Sequence, residues 1–190
     1  DKDHLLYTAN IETDVKDIQF PFGYAQVWQV DLQGHRPVLF SSLAMEAISI
    51  NAKGEMLYQN NKGYEDEWRK HHRSPITRDL YLSQTDKAKR TYRKLNTDNA
   101  EHRNPVWAPD GKAFYFLSEK DSTINLYKAS EPGAAEVQIT HYTKYPVRYL
   151  SVANNGTICF SWDGALYTLK DNGEPQKVNI SITTDDNEDI

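Results

Sequence analysis

The chain has 190 residues, a length that allows one domain with a buried core. Its formal net charge of −5 argues against a nucleic-acid partner, which requires a basic surface, and no apolar run reaches the roughly 18–20 residues of a membrane-spanning helix. Aromatic residues make up 12% of the chain although hydrophobic residues make up only 38%, and this composition favours strands whose ends reach water.

Residues 1–43 predict three strands, at 5–9, 25–32 and 37–41. The second alternates apolar and polar side chains, as a half-buried strand does. The connection between the first two shows no periodicity and is expected to be irregular. Because residues 1–4 look like the end of a turn, we expect this unit to lack its first strand.

Residues 44–98 predict four strands and a long charged insertion. The strands are expected at 45–50, 56–59, 79–82 and 92–97. Basic side chains near the last strand are expected to guard an exposed sheet edge, and they are Lys87, Lys89, Arg90, Arg93 and Lys94.

The insertion, residues 60–78, separates the second and third strands of that unit. It holds a set of ionisable side chains around Trp68, namely Glu65, Asp66, Glu67, Arg69, Lys70, His71, His72 and Arg73. One interpretation is a solvated, partly helical loop whose charges balance locally. The alternative is a binding loop, because long loops on rigid scaffolds often carry recognition.

Residues 99–143 form the clearest unit. Pro109, Asp110 and Gly111 predict a tight turn, since proline presets φ at the second turn position and glycine tolerates a positive φ. The strand that follows, 113–118, is apolar on both faces, which is typical of a strand between two other layers. One such unit cannot bury both of its faces alone, so we expect copies on either side.

Those copies are present in the sequence. Gly54, Gly111 and Gly156 occupy equivalent turns and lie 57 and 45 residues apart. Without the insertion, both intervals approach the roughly 40–45 residues of a four-stranded propeller blade. The sequence therefore predicts an all-β fold, a partial β-propeller of about four blades of four-stranded antiparallel meanders, with the first blade incomplete and about fifteen strands in all.

The blades are expected at about 1–43, 44–98, 99–143 and 144–182, so that the propeller covers 1–182 and an acidic linker or tail covers 183–190. Side chains expected to be buried between blades are Trp107, Phe114, Phe116, Tyr127, Ile158 and Phe160. The two end blades should each have an uncovered apolar face through which chains self-associate. These faces carry residues 5–8 at one end and Tyr149, Cys159 and 166–169 at the other.

Several motifs resemble a known family. The motifs Trp-Ala-Pro-Asp-Gly-Lys at 107–112, Asn-Leu-Tyr at 125–127 and Gln-Ile-Thr at 138–140 resemble the repeat of the six-bladed propellers in tricorn-type peptidases. Related repeats occur in the Tol-system periplasmic propeller and in prolyl-oligopeptidase-like enzymes. Residues 20–28 are similar to the first-blade segment of the tricorn branch, and residues 63–74 with 77–79 are similar to its second-blade insertion.

The resemblance implies the non-catalytic propeller portion of a tricorn-like serine peptidase, whose active site lies in a separate C-terminal domain. Its partners would be peptides, which it screens and guides, the remaining blades and the C-terminal protease domains. In this family a basic pair on a propeller loop anchors the peptide's free carboxylate, and Arg69 with Lys70 matches it, with Arg73 as the alternative. The bacterial relatives imply an exported or periplasmic protein, and a cytoplasmic one is the alternative.

Two alternatives belong to other function classes. A stand-alone protein-binding propeller of the Tol-system type, which scaffolds a partner complex, is the alternative function. A carbohydrate-active propeller would need paired carboxylates facing one channel, whereas the acids of this chain are dispersed.

No motif in the sequence indicates catalysis, a cofactor or a metal site. Ser161 lacks the Gly-X-Ser-X-Gly turn of hydrolases, and Cys159, the only cysteine, is expected to be a buried and inert thiol. No His-Glu-X-X-His or Cys-X-X-Cys spacing is present. The scattered histidines are expected to be solvated or hydrogen-bonded, and they are His4, His35, His102 and His141.

Overall fold

The structure is a computed structural model that describes residues 3–10, 25–62, 74–87, 89–170 and 173–181. Within these ranges the chain forms fifteen β-strands and no helix, so none of the described elements is a helix that could cross a membrane. The strands are β1 (His4–Asn10), β2 (Ala25–Asp31), β3 (Val38–Ser41), β4 (Met45–Ile50), β5 (Met56–Asn60), β6 (Leu80–Asp86), β7 (Lys89–Lys94), β8 (His102–Trp107), β9 (Phe114–Ser118), β10 (Asn125–Ala129), β11 (Glu136–Gln138), β12 (Arg148–Val152), β13 (Ile158–Trp162), β14 (Ala165–Leu169) and β15 (Gln176–Lys177).

The strands form four antiparallel sheets in which neighbours are consecutive in sequence. Over the described residues the first sheet has three strands, β1–β3, and the others have four each, β4–β7, β8–β11 and β12–β15. We call these sheets blades 1 to 4. The first strands of blades 2, 3 and 4 lie side by side, since β4 contacts β8 and β8 contacts β12. The predicted all-β partial propeller, with an incomplete first blade, is therefore confirmed.

A tight turn joins the first two strands in each of blades 2, 3 and 4. In blade 3 the amide of Gly111 donates to the carbonyl of Ala108 over 2.9 Å, and Gly111 has a φ of +64°. The Asp110 carboxylate accepts from two main-chain amides of the turn at 2.8 and 3.0 Å. Gly54 and Gly156 close the equivalent turns of blades 2 and 4, so the repeat predicted from the glycines is present.

The first strand of each of these blades also contains a β-bulge. Each bulge includes a residue with positive φ, namely Ala47 at 48°, Asn104 at 49° and Tyr149 at 56°. Each of the three stands seven residues before the turn glycine of its blade. Because a bulge bends its strand and redirects side chains, the repeated bulge shapes the side of the blades where the first strands meet.

Blades 2 and 3 share an aromatic core. Phe116 is fully buried, with its ring centroid 5.7 Å from that of Tyr127 and 5.5 Å from that of Phe114. Leu57 and Leu80 of blade 2 cover these rings. All six side chains predicted to be buried between blades are buried in the structure, and they are Trp107, Phe114, Phe116, Tyr127, Ile158 and Phe160.

The opposite face of blade 3 packs on blade 4. Leu117 follows Phe116 in β9 and therefore points to the other side, where it packs with Leu126 against Ile158 and Phe160. Successive residues of one strand thus contact different blades. This arrangement confirms the prediction that residues 113–118 form a strand between two other layers.

Each end blade keeps an apolar face that no other described sheet covers. In blade 1, Leu5, Tyr7 and Leu39 are exposed, and in blade 4, Tyr149 and Leu166 are exposed. A cavity of about 950 Å³ lies on this face of blade 4, and its lining includes both of the blade 4 residues just named.

The prediction that Cys159 is a buried thiol is wrong, because its side chain is half-buried. Its sequence neighbours Ile158 and Phe160 pack toward blade 3. Side chains alternate along a strand, so Cys159 faces the other way, beside Thr168 of β14 on the uncovered face of blade 4.

We expect Phe116→Ala to lower the free energy of unfolding by about 3–5 kcal/mol, the usual cost of deleting a buried phenylalanine ring. Val137→Ala is the matched control, since Val137 is 60% exposed, and it should change the value by less than about 0.5 kcal/mol. Urea denaturation followed by tryptophan fluorescence measures both. Equal losses for the two variants would show that Phe116 does not hold blades 2 and 3 together.

We also expect the 190-residue chain to associate reversibly with itself, because uncovered faces of blade size exceed the apolar patches of most soluble monomers. The mass from static light scattering should rise with concentration over a dilution series. Leu166→Lys, on the open face of blade 4, should shift the chain toward the monomer, whereas Val137→Lys should not. A monomer at every concentration would rule out association through these faces.

Candidate functional site

A polar cavity of about 220 Å³ lies where the first strands of blades 2, 3 and 4 meet. Blade 2 contributes Glu46, Gln59 and Arg78, blade 3 contributes Arg103, and blade 4 contributes Arg148. We call this the arginine cavity. Its other lining residues are Asn104, Leu117, Ile124, Val147 and Tyr149.

The repeat explains how side chains from three blades meet here. Glu46, Arg103 and Arg148 each stand eight residues before the turn glycine of their blade. Each one immediately precedes the bulge residue with positive φ. One position of the repeat therefore supplies three of the four charged groups that line the cavity.

A buried glutamate positions two of the arginines. Nη1 of Arg78 donates to Oε1 of Glu101 over 3.2 Å, and Nε of Arg103 donates to the same oxygen. The main-chain amide of Arg78 donates to Oε2 of Glu101 over 3.0 Å. Because a buried carboxylate needs several donors to offset its lost hydration, Glu101 and the two arginines form one unit.

Neutral amides orient the carboxylate of Glu46. Nε2 of Gln59 donates to its Oε2 over 3.1 Å, and Nδ2 of Asn61 donates to its Oε1 over 2.7 Å. Oε1 of Gln59 in turn accepts from the amide of Asn104 in blade 3 at 2.8 Å. Nε of Arg78 is 3.5 Å from Oε2 of Glu46, and it is buried without a hydrogen bond.

The charged insertion leaves and re-enters blade 2 beside this cavity. The amide of Asn60 donates to the carbonyl of Asp79 over 3.1 Å, and the amide of Asp79 donates to Oδ1 of Asn60 over 2.8 Å. Arg78, which precedes Asp79 in sequence, lines the cavity. The described ends of the insertion are therefore held together at the edge of the arginine cavity.

Asp79 is the ionic centre of this attachment. Nζ of Lys62 lies 2.6 Å from its Oδ2, and Nζ of Lys94 lies 2.9 Å from its Oδ1. Nδ2 of Asn96 donates to Oδ1 over 2.9 Å. Burial disfavours the charged form of this carboxyl, but the bonds from Lys62, Asn96 and Lys94 outweigh burial and hold the pKa of Asp79 below its usual value.

The anchoring residues predicted from the sequence, Arg69, Lys70 and Arg73, lie outside the described residues. Their role therefore stays a prediction. The described arginines of the cavity were not found by sequence reasoning, which followed the density of charge in the insertion. A signal was available, because Arg103 and Arg148 occupy the same position relative to their turn glycines.

The basic side chains of the β6–β7 hairpin lie on an exposed edge, as predicted, because β7 is the outermost strand of blade 2. Two of them also contact other blades. The guanidinium of Arg90 lies 5.3 Å from the ring centroid of Phe40 in blade 1, and Nη2 of Arg93 donates to the carbonyl of Pro132 in blade 3 over 3.1 Å.

Two of the scattered histidines are hydrogen-bonded, as predicted. Nε2 of the buried His102 lies 2.6 Å from Oδ1 of Asp98, and Nδ1 of His35 lies 2.5 Å from Oδ2 of Asp31. Oγ of Ser161 contacts the carbonyl of Arg148 at 3.5 Å. Over the described ranges, no group of three His, Cys, Asp or Glu residues is arranged to hold a metal ion.

We expect Asp79→Asn to lower the free energy of unfolding at pH 7, because it removes the charge that two lysines compensate. The folded-state pKa is lowered, so the carboxylate stabilises the fold above its unfolded pKa of about 3.9, and this contribution is lost as pH falls through the folded pKa. The difference between wild type and variant should therefore shrink below about pH 4. Urea denaturation from pH 7 to pH 3 measures it, with Asp163→Asn at an exposed turn as the control. A difference that persists unchanged at pH 3 would contradict an ionic role.

Comparison with known proteins gives a family and several structures of similar fold. The family model described as the tricorn protease N-terminal beta propeller domain matches residues 9–175. The crystal structure of the tricorn protease has a TM-score of 0.60 and 13% identity, over 96% of this chain and 22% of that chain. The putative TolB from Agrobacterium tumefaciens has a TM-score of 0.62 and 16% identity, over 93% of this chain and 64% of that chain. Puromycin hydrolase has a TM-score of 0.61 and 15% identity, over 82% of this chain and 26% of that chain.

No curated protein matches the chain in sequence. At the identities just given, the similarity to solved structures shows the fold alone. The chain spans 22% of the length of the tricorn protease and 64% of that of the Agrobacterium TolB. The family model covers well over half of the chain, and the chain therefore belongs to the tricorn protease N-terminal β-propeller domain family.

Proposed function

We propose that this chain is the non-catalytic propeller portion of a tricorn-like serine peptidase and that it screens and guides peptide substrates. The observation that carries the proposal is the attachment of the charged insertion. In a propeller of this family, both described ends of that insertion are held beside the arginine cavity. A peptide that reaches the cavity would meet its arginines at the place where the described ends of the insertion are attached.

Within this proposal, the insertion holds the end of the peptide. Arg69 and Lys70, with Arg73 as the alternative, pair with its C-terminal carboxylate. The planar donors of arginine can bind both carboxylate oxygens at once, which gives orientation as well as affinity. The resemblance of residues 63–74 to the second-blade insertion of tricorn-type peptidases supports this assignment.

The remaining parts of the machinery would be supplied by other domains. The chain spans 22% of the tricorn protease, so the proposal places further blades and the C-terminal protease domains outside the 190 residues. Those domains would carry the serine active site. This chain would act before the chemical step, by selecting peptides and delivering them in one orientation.

We expect the chain to bind a fluorescein-labelled hexapeptide with a free C-terminal carboxylate at least about tenfold more tightly than the matching C-terminal amide, because charge-assisted hydrogen bonds are lost in the amide. The double variant Arg69→Gln, Lys70→Gln should remove most of this preference. Arg36→Gln, in the exposed loop between β2 and β3, is the matched control. Fluorescence anisotropy measures affinity, and mass spectrometry should recover the peptide intact.

Equal affinity for the acid and the amide would contradict anchoring of the C-terminus. Binding of neither peptide by a folded chain would contradict the peptide-guiding function and favour a stand-alone scaffold propeller. If the double variant still prefers the free acid to the amide, Arg69 and Lys70 are not the anchor. The same measurement with Arg73→Gln then tests the alternative.

A further inference from the structure

We propose that the arginine cavity is itself a carboxylate-binding site, separate from the insertion residues Arg69, Lys70 and Arg73. The inference rests on the proposed function only in taking a peptide as the source of the carboxylate. That source is either the C-terminus of the peptide or an aspartate or glutamate side chain within it.

The charge of the cavity selects an anion. Three arginines and one glutamate line it. The buried Glu101 behind it neutralises one further positive charge through its bonds to Arg78 and Arg103. Among the described residues that line or adjoin the cavity, positive charge exceeds negative charge by one, in a concave site where screening by water is reduced.

The donors are held in place before any ligand arrives. Glu101 fixes the guanidinium groups of Arg78 and Arg103, and Arg78 itself is buried. Nε of Arg78 is buried without a hydrogen bond and therefore adds positive potential to the cavity. A carboxylate oxygen, Oε2 of Glu46, lies 3.5 Å away from it. Side chains that are already ordered lose little conformational entropy when they bind, so the site favours a ligand that needs a fixed fork of donors.

The walls of the cavity favour an aliphatic carboxylate over a phosphate. Leu117, Ile124 and Val147 line one part of it, and all three are buried apolar residues of blades 3 and 4. These residues can contact the methylene groups that precede a carboxylate, while the arginines bind its oxygens. A volume of about 220 Å³ accommodates one side chain or the last residue of a peptide.

The test compares three fluorescein-labelled hexapeptides by anisotropy with the 190-residue chain. One has a free C-terminus and no acidic side chain, one is its amide, and one is the amide with a single internal glutamate. We expect Arg148→Gln to weaken binding of a carboxylate-bearing peptide by about tenfold. Glu46→Gln should strengthen it by about threefold, because it removes the opposing charge without removing an arginine. Arg36→Gln should have no effect.

The peptide that responds identifies the source. If Arg148→Gln weakens and Glu46→Gln strengthens binding of the free-acid peptide alone, the cavity binds the C-terminal carboxylate. If the two variants have these effects on the glutamate peptide alone, the cavity binds an acidic side chain. A structural role of these residues would not make Glu46→Gln bind more tightly. Thermal denaturation confirms that each variant is folded.

The outcome separates this inference from the proposed function. If changes at Arg69 and Lys70 abolish the carboxylate preference while folded Arg148→Gln and Glu46→Gln change affinity less than twofold, the cavity is not a carboxylate site and the loop function stands. The reverse pattern supports the cavity and contradicts anchoring by the loop.

If no peptide binds, the probe becomes glutarate. Thermal stabilisation by glutarate that Arg148→Gln abolishes supports the cavity, and its absence overturns the inference.

Discussion

A strand that is apolar on both faces must be covered twice, and this requirement organises the whole chain. Phe116 packs on blade 2 while its neighbour Leu117 packs on blade 4, so both faces of β9 are covered. The blades must therefore stand in a row, each covering the next. The same requirement leaves the outer faces of blades 1 and 4 uncovered within the described residues, with Leu5 and Tyr149 exposed. The row of blades also brings their first strands side by side, which is where the charged cavity forms.

Those parts of the fold that depend on local chemistry could be predicted from the sequence. The Gly111 turn and the strand after it are specified by neighbouring residues, and their repetition reveals the blades. The predicted uncovered face of blade 4 does carry Cys159, but the extent of its burial could not be predicted from its two apolar neighbours, because it depends on what lies beyond blade 4. The bulges were equally hidden, since Ala47 and Tyr149 are not residue types that indicate a positive φ.

The candidate site was harder to predict because its residues come from three blades. Glu46, Arg103 and Arg148 share a position in the repeat, but Glu46 is acidic, so residue type links only Arg103 with Arg148. Their convergence depends on the bulges, which sequence alone did not reveal. The charge density of the insertion, by comparison, is visible in one continuous segment of the sequence, and it predicts a binding loop. The structure shows that the described ends of this insertion are attached at Arg78 and Asp79, at the edge of the arginine cavity.

Retaining this arrangement is costly to stability, which indicates a purpose for it. A non-glycine residue with positive φ costs on the order of 1–3 kcal/mol, and the three bulges each contain one. The buried Glu101 carries a desolvation cost that its bonds to Arg78 and Arg103 must offset, and well-packed apolar residues could fill the same space as stably. Removing Glu101 alone would take the shared carboxylate from both guanidinium groups. The fold holds a fixed cluster of guanidinium groups where three blades meet, and the proposed binding of a carboxylate would account for the cost of keeping it.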